Sequence, residues 1–113
     1  MRPNFNLEML PSAVNFLNEL DDDIRYKVYY NLKKAQYMID QELFKKLNVT
    51  IWEFRTQFKG KQVRLLAFWD NDKNETLVLA THGFFKKSQK TPNAEIKKAE
   101  KIRKEYFENK KNA

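Results

Sequence analysis

The spacing of hydrophobic positions changes once along this chain, near residue 50. Phe5, Leu7 and Met9 alternate with Asn6 and Glu8, which predicts a short first strand. Pro11-Ser12 then breaks the alternation, and Ser12 is the expected N-cap of a short helix carrying Val14, Leu17 and Leu20. Asp21-Asp22-Asp23 opens a second helix, where acidic groups face the positive end of the dipole. Along it Ile24, Val28, Leu32, Ala35 and Ile39 recur at helical spacing, so one face is buried. These two segments read as a helical hairpin. Leu43, Phe44 and Leu47 are expected on a turn of helix or a loop that leads into a sheet.

From Thr50 the period is two. In Thr50–Phe58, Trp52, Phe54 and Phe58 point one way, and Glu53, Arg55 and Gln57 point the other. Lys59-Gly60-Lys61 signals a turn, and Gln62–Asp70 is the next strand. Asp70 to Asn74 is a second turn, followed by Thr76–Phe85, a strand apolar on both faces and therefore interior to the sheet. Two short turns allow an antiparallel meander. Thr91 is the expected N-cap of a last helix, with Pro92 at its first position and Ile96, Ala99, Ile102 and Tyr106 as its packing stripe. The end of the chain, from about residue 108, is expected to fray. The fold class is therefore α+β in one domain over residues 1–113. It is expected as a small antiparallel sheet in β-α-α-β-β-β-α order, with an N-terminal helical hairpin and a C-terminal helix.

Composition narrows the chemistry. The 113 residues include no Cys, one His and two Gly. These counts exclude disulfides, thiolate metal sites, cysteine nucleophiles, a P-loop and a dinucleotide-binding glycine fingerprint. No metal site and no small-molecule cofactor is expected. Residues 1–44 hold 5 basic and 7 acidic side chains, and residues 45–113 hold 17 and 8, so a net of −2 precedes a net of +9. That asymmetry points to a polyanion-facing surface in the second part of the chain. No window approaches the ~18 apolar residues of a membrane span. The start of the chain lacks a signal-peptide core, so a soluble, cytoplasmic protein without membrane contact is expected.

The candidate residues follow from where the cations fall. Arg55 lies on the strand face opposite the aromatic residues, beside Glu53, and reads either as an ion-pair partner or as a ligand-binding group. Arg64 stands mid-strand between Val63 and Leu65, where a guanidinium needs a partner or a ligand. Lys86, Lys87 and Lys90 fill the strand-to-helix loop with no acid from Phe84 to Pro92. That loop is either solvated or an anion site helped by the following helix N-terminus. If the strands are neighbours, these groups converge on a patch that suits a phosphodiester. Lys97, Lys98 and Lys101 form a solvated or phosphate-contacting helix face. His82 reads as a hydrogen-bonded core histidine, and Tyr26, Tyr29, Tyr30, Tyr37 and Tyr106 read as packing residues.

Three pieces in order carry a resemblance: Ile51-Trp52-Glu53-Phe54-Arg55, then Val63-Arg64-Leu65-Leu66-Ala67-Phe68-Trp69, then His82-Gly83-Phe84-Phe85-Lys86-Lys87-Ser88-Gln89-Lys90-Thr91-Pro92 with Glu95-Ile96. Together they resemble the phage-related HigB branch of the RelE toxin superfamily, over about Thr50 to Tyr106. Val63 stands where many relatives carry tyrosine, which removes one possible acid or base.

The resemblance implies a RelE-like fold and the toxin of a type II toxin–antitoxin module. It implies an mRNA endoribonuclease that acts on the ribosome, with mRNA and ribosome as partners and a cognate helix-turn-helix antitoxin. The implied reaction is attack of a ribose 2′-OH on the adjacent phosphorus. Carried over by position, Arg55, Arg64, Lys86 and Lys87 are the catalytic candidates, and Lys90, Lys97, Lys98, Lys101 and Glu53 contact RNA. The alternative is a non-catalytic binding module, or an inactivated toxin, that uses the same cations to hold RNA or a partner.

Overall fold

The computed structural model describes residues 2–71 and 75–112. The elements are β1 (Asn6–Met9), α1 (Pro11–Asn18), α2 (Asp22–Tyr37), β2 (Phe44–Lys46), β3 (Trp52–Phe58), β4 (Lys61–Asp70), β5 (Leu77–Phe85) and α3 (Asn93–Lys111). One five-stranded sheet runs in the order β1-β5-β4-β3-β2. The expected meander is its centre: β3, β4 and β5 pair antiparallel, with Trp52 opposite Ala67 and Trp69 opposite Val78. Lys59 and Gly60 both take positive φ in the two-residue β3–β4 turn, the geometry that matches strand twist. Most of the turn expected over 70–74 lies outside the described residues.

Two expectations about the sheet are corrected. It is mixed rather than antiparallel, because β1 pairs parallel to β5, Asn6 opposite Leu77 and Met9 opposite Ala80. Alternation reveals a strand but not its direction against a partner seventy residues away. The 43–47 segment also contains a strand: β2 pairs antiparallel with β3, Phe44 opposite Phe54 and Lys46 opposite Trp52. Three residues are too few to establish a period.

Helices cover both faces. The hairpin α1–α2 buries Ala13, Leu17, Ile24, Val28, Leu32 and Ala35 against Phe44, Phe54, Val63, Leu65, Ala67, Val78 and Ala80. Aromatic rings dominate one end of that layer, where Phe44 stacks on Phe54 at 4.2 Å. On the opposite face α3 buries Ala99, with Ile96, Tyr106 and Phe107, against Ile51, Leu66, Phe68 and Leu79. A β-bulge between Leu66 and Ala67 interrupts the β4–β5 register there and sets Thr81 between the two halves of the ladder. Gly83 is required by close approach: a Cβ there would sit 2.2 Å from a ring carbon of Phe16 and 2.8 Å from a methyl of Leu65.

Two caps, of α1 and α3, and one position of the α2 stripe differ from expectation, while the α2 cap falls in the expected acidic run. Leu10 caps α1 and Pro11 occupies its first turn, so Ser12 lies inside the helix. Asp21 caps α2 without a side-chain bond, while Asp23 Oδ1 accepts the Ile24 amide at 2.8 Å. Pro92, not Thr91, occupies the cap of α3. Helix α2 ends at Tyr37, which leaves Ile39 outside the apolar stripe and exposed. Helix α3 runs to Lys111, and Lys110 Nζ reaches Asp70 at 2.7 Å, so the last turn is tied to the sheet. Among the described residues no helix is long and apolar enough to cross a membrane.

Candidate phosphate-binding cleft

Strand alternation puts Glu53 and Arg55 of β3, and Arg64 of β4, on the sheet face that α3 covers only in part. Arg55 and Arg64 are cross-strand partners, two cations directly opposite one another. Such a pair repels unless something neutralises it. The neutralising group is Glu53, whose Oε1 lies 3.7 Å from Arg55 Nε and 3.6 Å from Arg64 Nε. Glu53 and Arg64 are both buried, with side chains 2% and 4% exposed, while Arg55 is a quarter exposed. Arg55 is therefore an ion-pair partner that also lines a cleft.

The remaining donors of the two guanidiniums are used unequally. Arg64 gives Nη1 to the Val63 carbonyl at 3.0 Å and Nη2 to Gln62 Oε1 at 2.8 Å. Arg55 Nη1 reaches the Gln41 carbonyl at 3.4 Å and Glu42 Oε2 at 3.6 Å. The Nε atoms of both are buried without a hydrogen bond. Burial is the main influence that lowers the Arg64 pKa from its ordinary value, opposed by Glu53 and reinforced by Arg55.

The cleft beside this pair encloses about 640 Å³ and is lined by Arg55, Gly60, Gln62, Lys86, Lys87, Ser88 and Gln89. A backbone bond from the Lys86 amide to the Gln62 carbonyl, 2.8 Å, continues the β4–β5 ladder and holds the loop at the cleft wall. Lys86 is half-buried, whereas Lys87 and Lys90 are exposed. Partial burial, followed by the charges of Arg64, Arg55 and Lys45, lowers the Lys86 pKa below that of an ordinary lysine; Glu53 opposes them. The depressing cations thus come from across the sheet rather than from the adjacent Lys87.

The arrangement brings Arg55, Lys86 and Lys87 to the cleft and places Glu53 and Arg64 buried behind Arg55, outside its lining. Lys90, Lys97, Lys98 and Lys101 are exposed and do not line the cleft. The first turn of α3 is also engaged elsewhere: Glu95 Oε1 meets His82 Nε2 at 3.0 Å. His82 is the hydrogen-bonded core histidine its strand position suggests, with Thr81 Oγ1 2.9 Å from its other ring nitrogen. Burial is the larger influence and lowers its pKa, although Glu95 pulls the other way, so the contact is read as a hydrogen bond of a neutral ring.

Four contributors escape a reading of the sequence. Lys45 is the cross-strand partner of Glu53, Glu42 reaches Arg55, Gln62 holds Arg64, and Thr91 donates its hydroxyl to Glu53 Oε2 in a very short bond. Lys45 and Glu42 depend on recognising β2, where Phe44-Lys45-Lys46 offers too short an alternation. Thr91 spends on Glu53 the hydroxyl expected at the helix cap. Counted together, Lys45, Arg55, Arg64, Lys86 and Lys87 stand against Glu42 and Glu53, five cations to two carboxylates. A net excess of three positive charges beside a fixed guanidinium pair suits an anion with oxygens in a plane or tetrahedron. Among the described residues, no group of three or more His, Asp or Glu is placed to hold a metal ion.

No curated protein matches the chain. The family model described as Phage derived protein Gp49-like (DUF891) matches residues 15–104, from within α1 to within α3, and so includes the whole cleft. The chain belongs to this Gp49-like family of phage-derived proteins.

Proposed function

We propose that this protein is the toxin of a type II toxin–antitoxin module, of the HigB branch of the RelE superfamily, and that it cleaves mRNA on the ribosome. The observation that carries the reading is the Arg55–Arg64 pair held around the buried Glu53 carboxylate, with Arg55 lining a cleft that Lys86 and Lys87 also line. Membership of a phage-derived family and the order of the three motif pieces support it.

In the proposed reaction a ribose 2′-OH attacks the adjacent phosphorus, leaving a cyclic phosphate and a free 5′-OH. Negative charge grows on the equatorial oxygens of the phosphorane. Preorganised cations at about 3 Å from those oxygens favour the transition state more than the ground state. Arg64, immobilised by Gln62 and Val63, and Arg55 take that role. Lys86, with its lowered pKa, is the proton acceptor for the 2′-OH, and Lys87 is the donor to the departing 5′ oxygen. Glu53 orients the two arginines. The ribosome aligns the 2′-OH with the scissile bond, which offsets weak acid–base groups. A helix-turn-helix antitoxin encoded nearby is the expected neutralising partner.

Primer extension on cellular mRNA after induction tests this reading. New 5′ ends inside translated codons, absent with Arg64→Ala and reduced with Arg64→Lys, are the expected result. Growth arrest without new 5′ ends would favour the non-catalytic binding reading, and full toxicity of a folded Arg64→Ala protein would sink the assignment of Arg64.

A further inference from the structure

The four tyrosines of α2 are exposed rather than buried in the core, contrary to the sequence expectation. Tyr26 is 73% exposed, Tyr29 47%, Tyr30 53% and Tyr37 37%. Only Tyr106 behaves as expected, against Phe68 and bonded to Asp70. With Lys33 and Lys34 the four exposed rings line one shallow groove of about 450 Å³ along the outer face of α2. From Tyr26 to Tyr37 this face spans about 16 Å, roughly three turns. It lies on the hairpin side of the sheet, opposite the cleft, because Asn31 of α2 bonds Thr56 on the α2-facing side of β3 while Arg55 faces the other way.

Charge along the helix is one-sided. Between Asp23 and Asp40 there are four cations, Arg25, Lys27, Lys33 and Lys34, and no acid. Acids return at both ends, Asp21 to Asp23 before the groove and Asp40 and Glu42 after it. A long polyanion laid along α2 would meet carboxylates at each end of its path. A short segment with its negative charges at its middle would not. Mid-helix N–H groups are consumed within α2, so a phosphate would find lysine ammoniums alone. The groove surface itself is made of tyrosine rings, which suit apolar anchors and are enriched at protein interfaces.

We infer that this face is a docking surface for an acidic amphipathic helix of a partner protein. Its apolar residues would seat between the tyrosine rings and its carboxylates would meet Lys27, Lys33 and Lys34. The surface is independent of the chemistry proposed for the cleft and leaves the cleft open when occupied.

The test uses the isotope-labelled full chain and three probes: a synthetic acidic amphipathic 18-residue helical peptide, the same peptide with its acids replaced by glutamine, and an oligouridylate of 18 nucleotides. Expected is saturable binding of the acidic peptide, with amide shift changes centred on residues 26–37. At least tenfold weakening is expected in Tyr26→Ser/Tyr30→Ser and in Lys33→Glu/Lys34→Glu. The glutamine peptide should bind at least tenfold more weakly, and the oligonucleotide should shift resonances of the cleft rather than of α2. Circular dichroism confirms that each variant is folded before it is scored. Peptide shifts confined to the cleft, no saturable binding, or oligonucleotide shifts on residues 26–37 would each overturn the inference. Loss of RNA cleavage in the cleft variants tests the nuclease reading and leaves this result untouched.

Discussion

Both faces of the sheet bury an apolar layer, but only one of them also buries charge. Under α1 and α2 the layer is aliphatic and aromatic, and the polar groups buried with it are Thr56, bonded to Asn31, and the unbonded Trp69 Nε1. Under and beside α3 the same strands bury Glu53, Arg64, Asp70 and His82. Each of these has a partner from another element or another strand: Arg55, Gln62 and Thr91 around the Glu53–Arg64 pair, Tyr106 and Lys110 on Asp70, Glu95 on His82. Apolar burial, almost non-directional, holds helices to both faces of the sheet. Directional, high-cost polar burial on the α3 side arranges charge, and the cost is tolerated where the charges are paired. The difference separates an apolar face from a charged one, the working face of the proposed function.

The sharpest way to break that comparison is to remove the working group. Under the proposed nuclease reading, Arg64→Ala should lower cleavage by about 10²–10³-fold, the loss seen when one preorganised charge-stabilising donor is deleted. Single-turnover cleavage of ribosome-bound mRNA measures it. An activity near that of the unaltered protein would mean that the charged face is structural too.

Glu53→Gln comes next. It leaves Arg64 buried without its counter-charge and opposite Arg55, and should cost about 3 kcal/mol of stability, read from the urea midpoint. An unchanged midpoint would show that the arginines are neutralised by other means. Gly83→Ala probes the apolar face, where the added methyl meets Phe16 and Leu65. It should destabilise by about 2 kcal/mol in the same assay, with cleavage retained under conditions where the variant is folded.

The smallest effect concerns His82. Its folded pKa lies below the ordinary 6.5, chiefly through burial, so below pH 6.5 the unfolded chain binds a proton that the folded chain refuses. The contribution of neutral His82 is therefore fully present above pH 6.5 and declines as pH falls from there toward the depressed folded value. The thermal midpoint should drop from pH 7.5 to pH 5.5, and His82→Gln should flatten that dependence. A variant with the same pH profile as the original would assign the effect to other groups.

Much of the architecture is legible in the residues. The alternation in Trp52–Phe58, the Lys59-Gly60 turn and the 24–35 stripe reach the structure with their faces intact, because period and burial are the same information. Arg55, Arg64 and Lys86 could be grouped because alternation and short turns bring their strands together. Lys45, Glu42 and Thr91 could not, since each acts through a neighbour distant in sequence. The α2 tyrosines mislead for the opposite reason: a ring is apolar enough to look like core, yet the stripe Ile24, Val28, Leu32 and Ala35 already fills the buried side of that helix.

By itself the sequence determines the kinds and order of every element but β2, the inward faces of the central strands and a cation excess placed after residue 44. These properties depend on neighbours within a few positions. Tertiary structure alone decides that β1 runs parallel beside β5, that β2 exists, and that one carboxylate sits between two arginines. It also decides that four tyrosines remain in solvent. Pairing direction, charge neutralisation and exposure are properties of contacts between distant segments, and no local period encodes them.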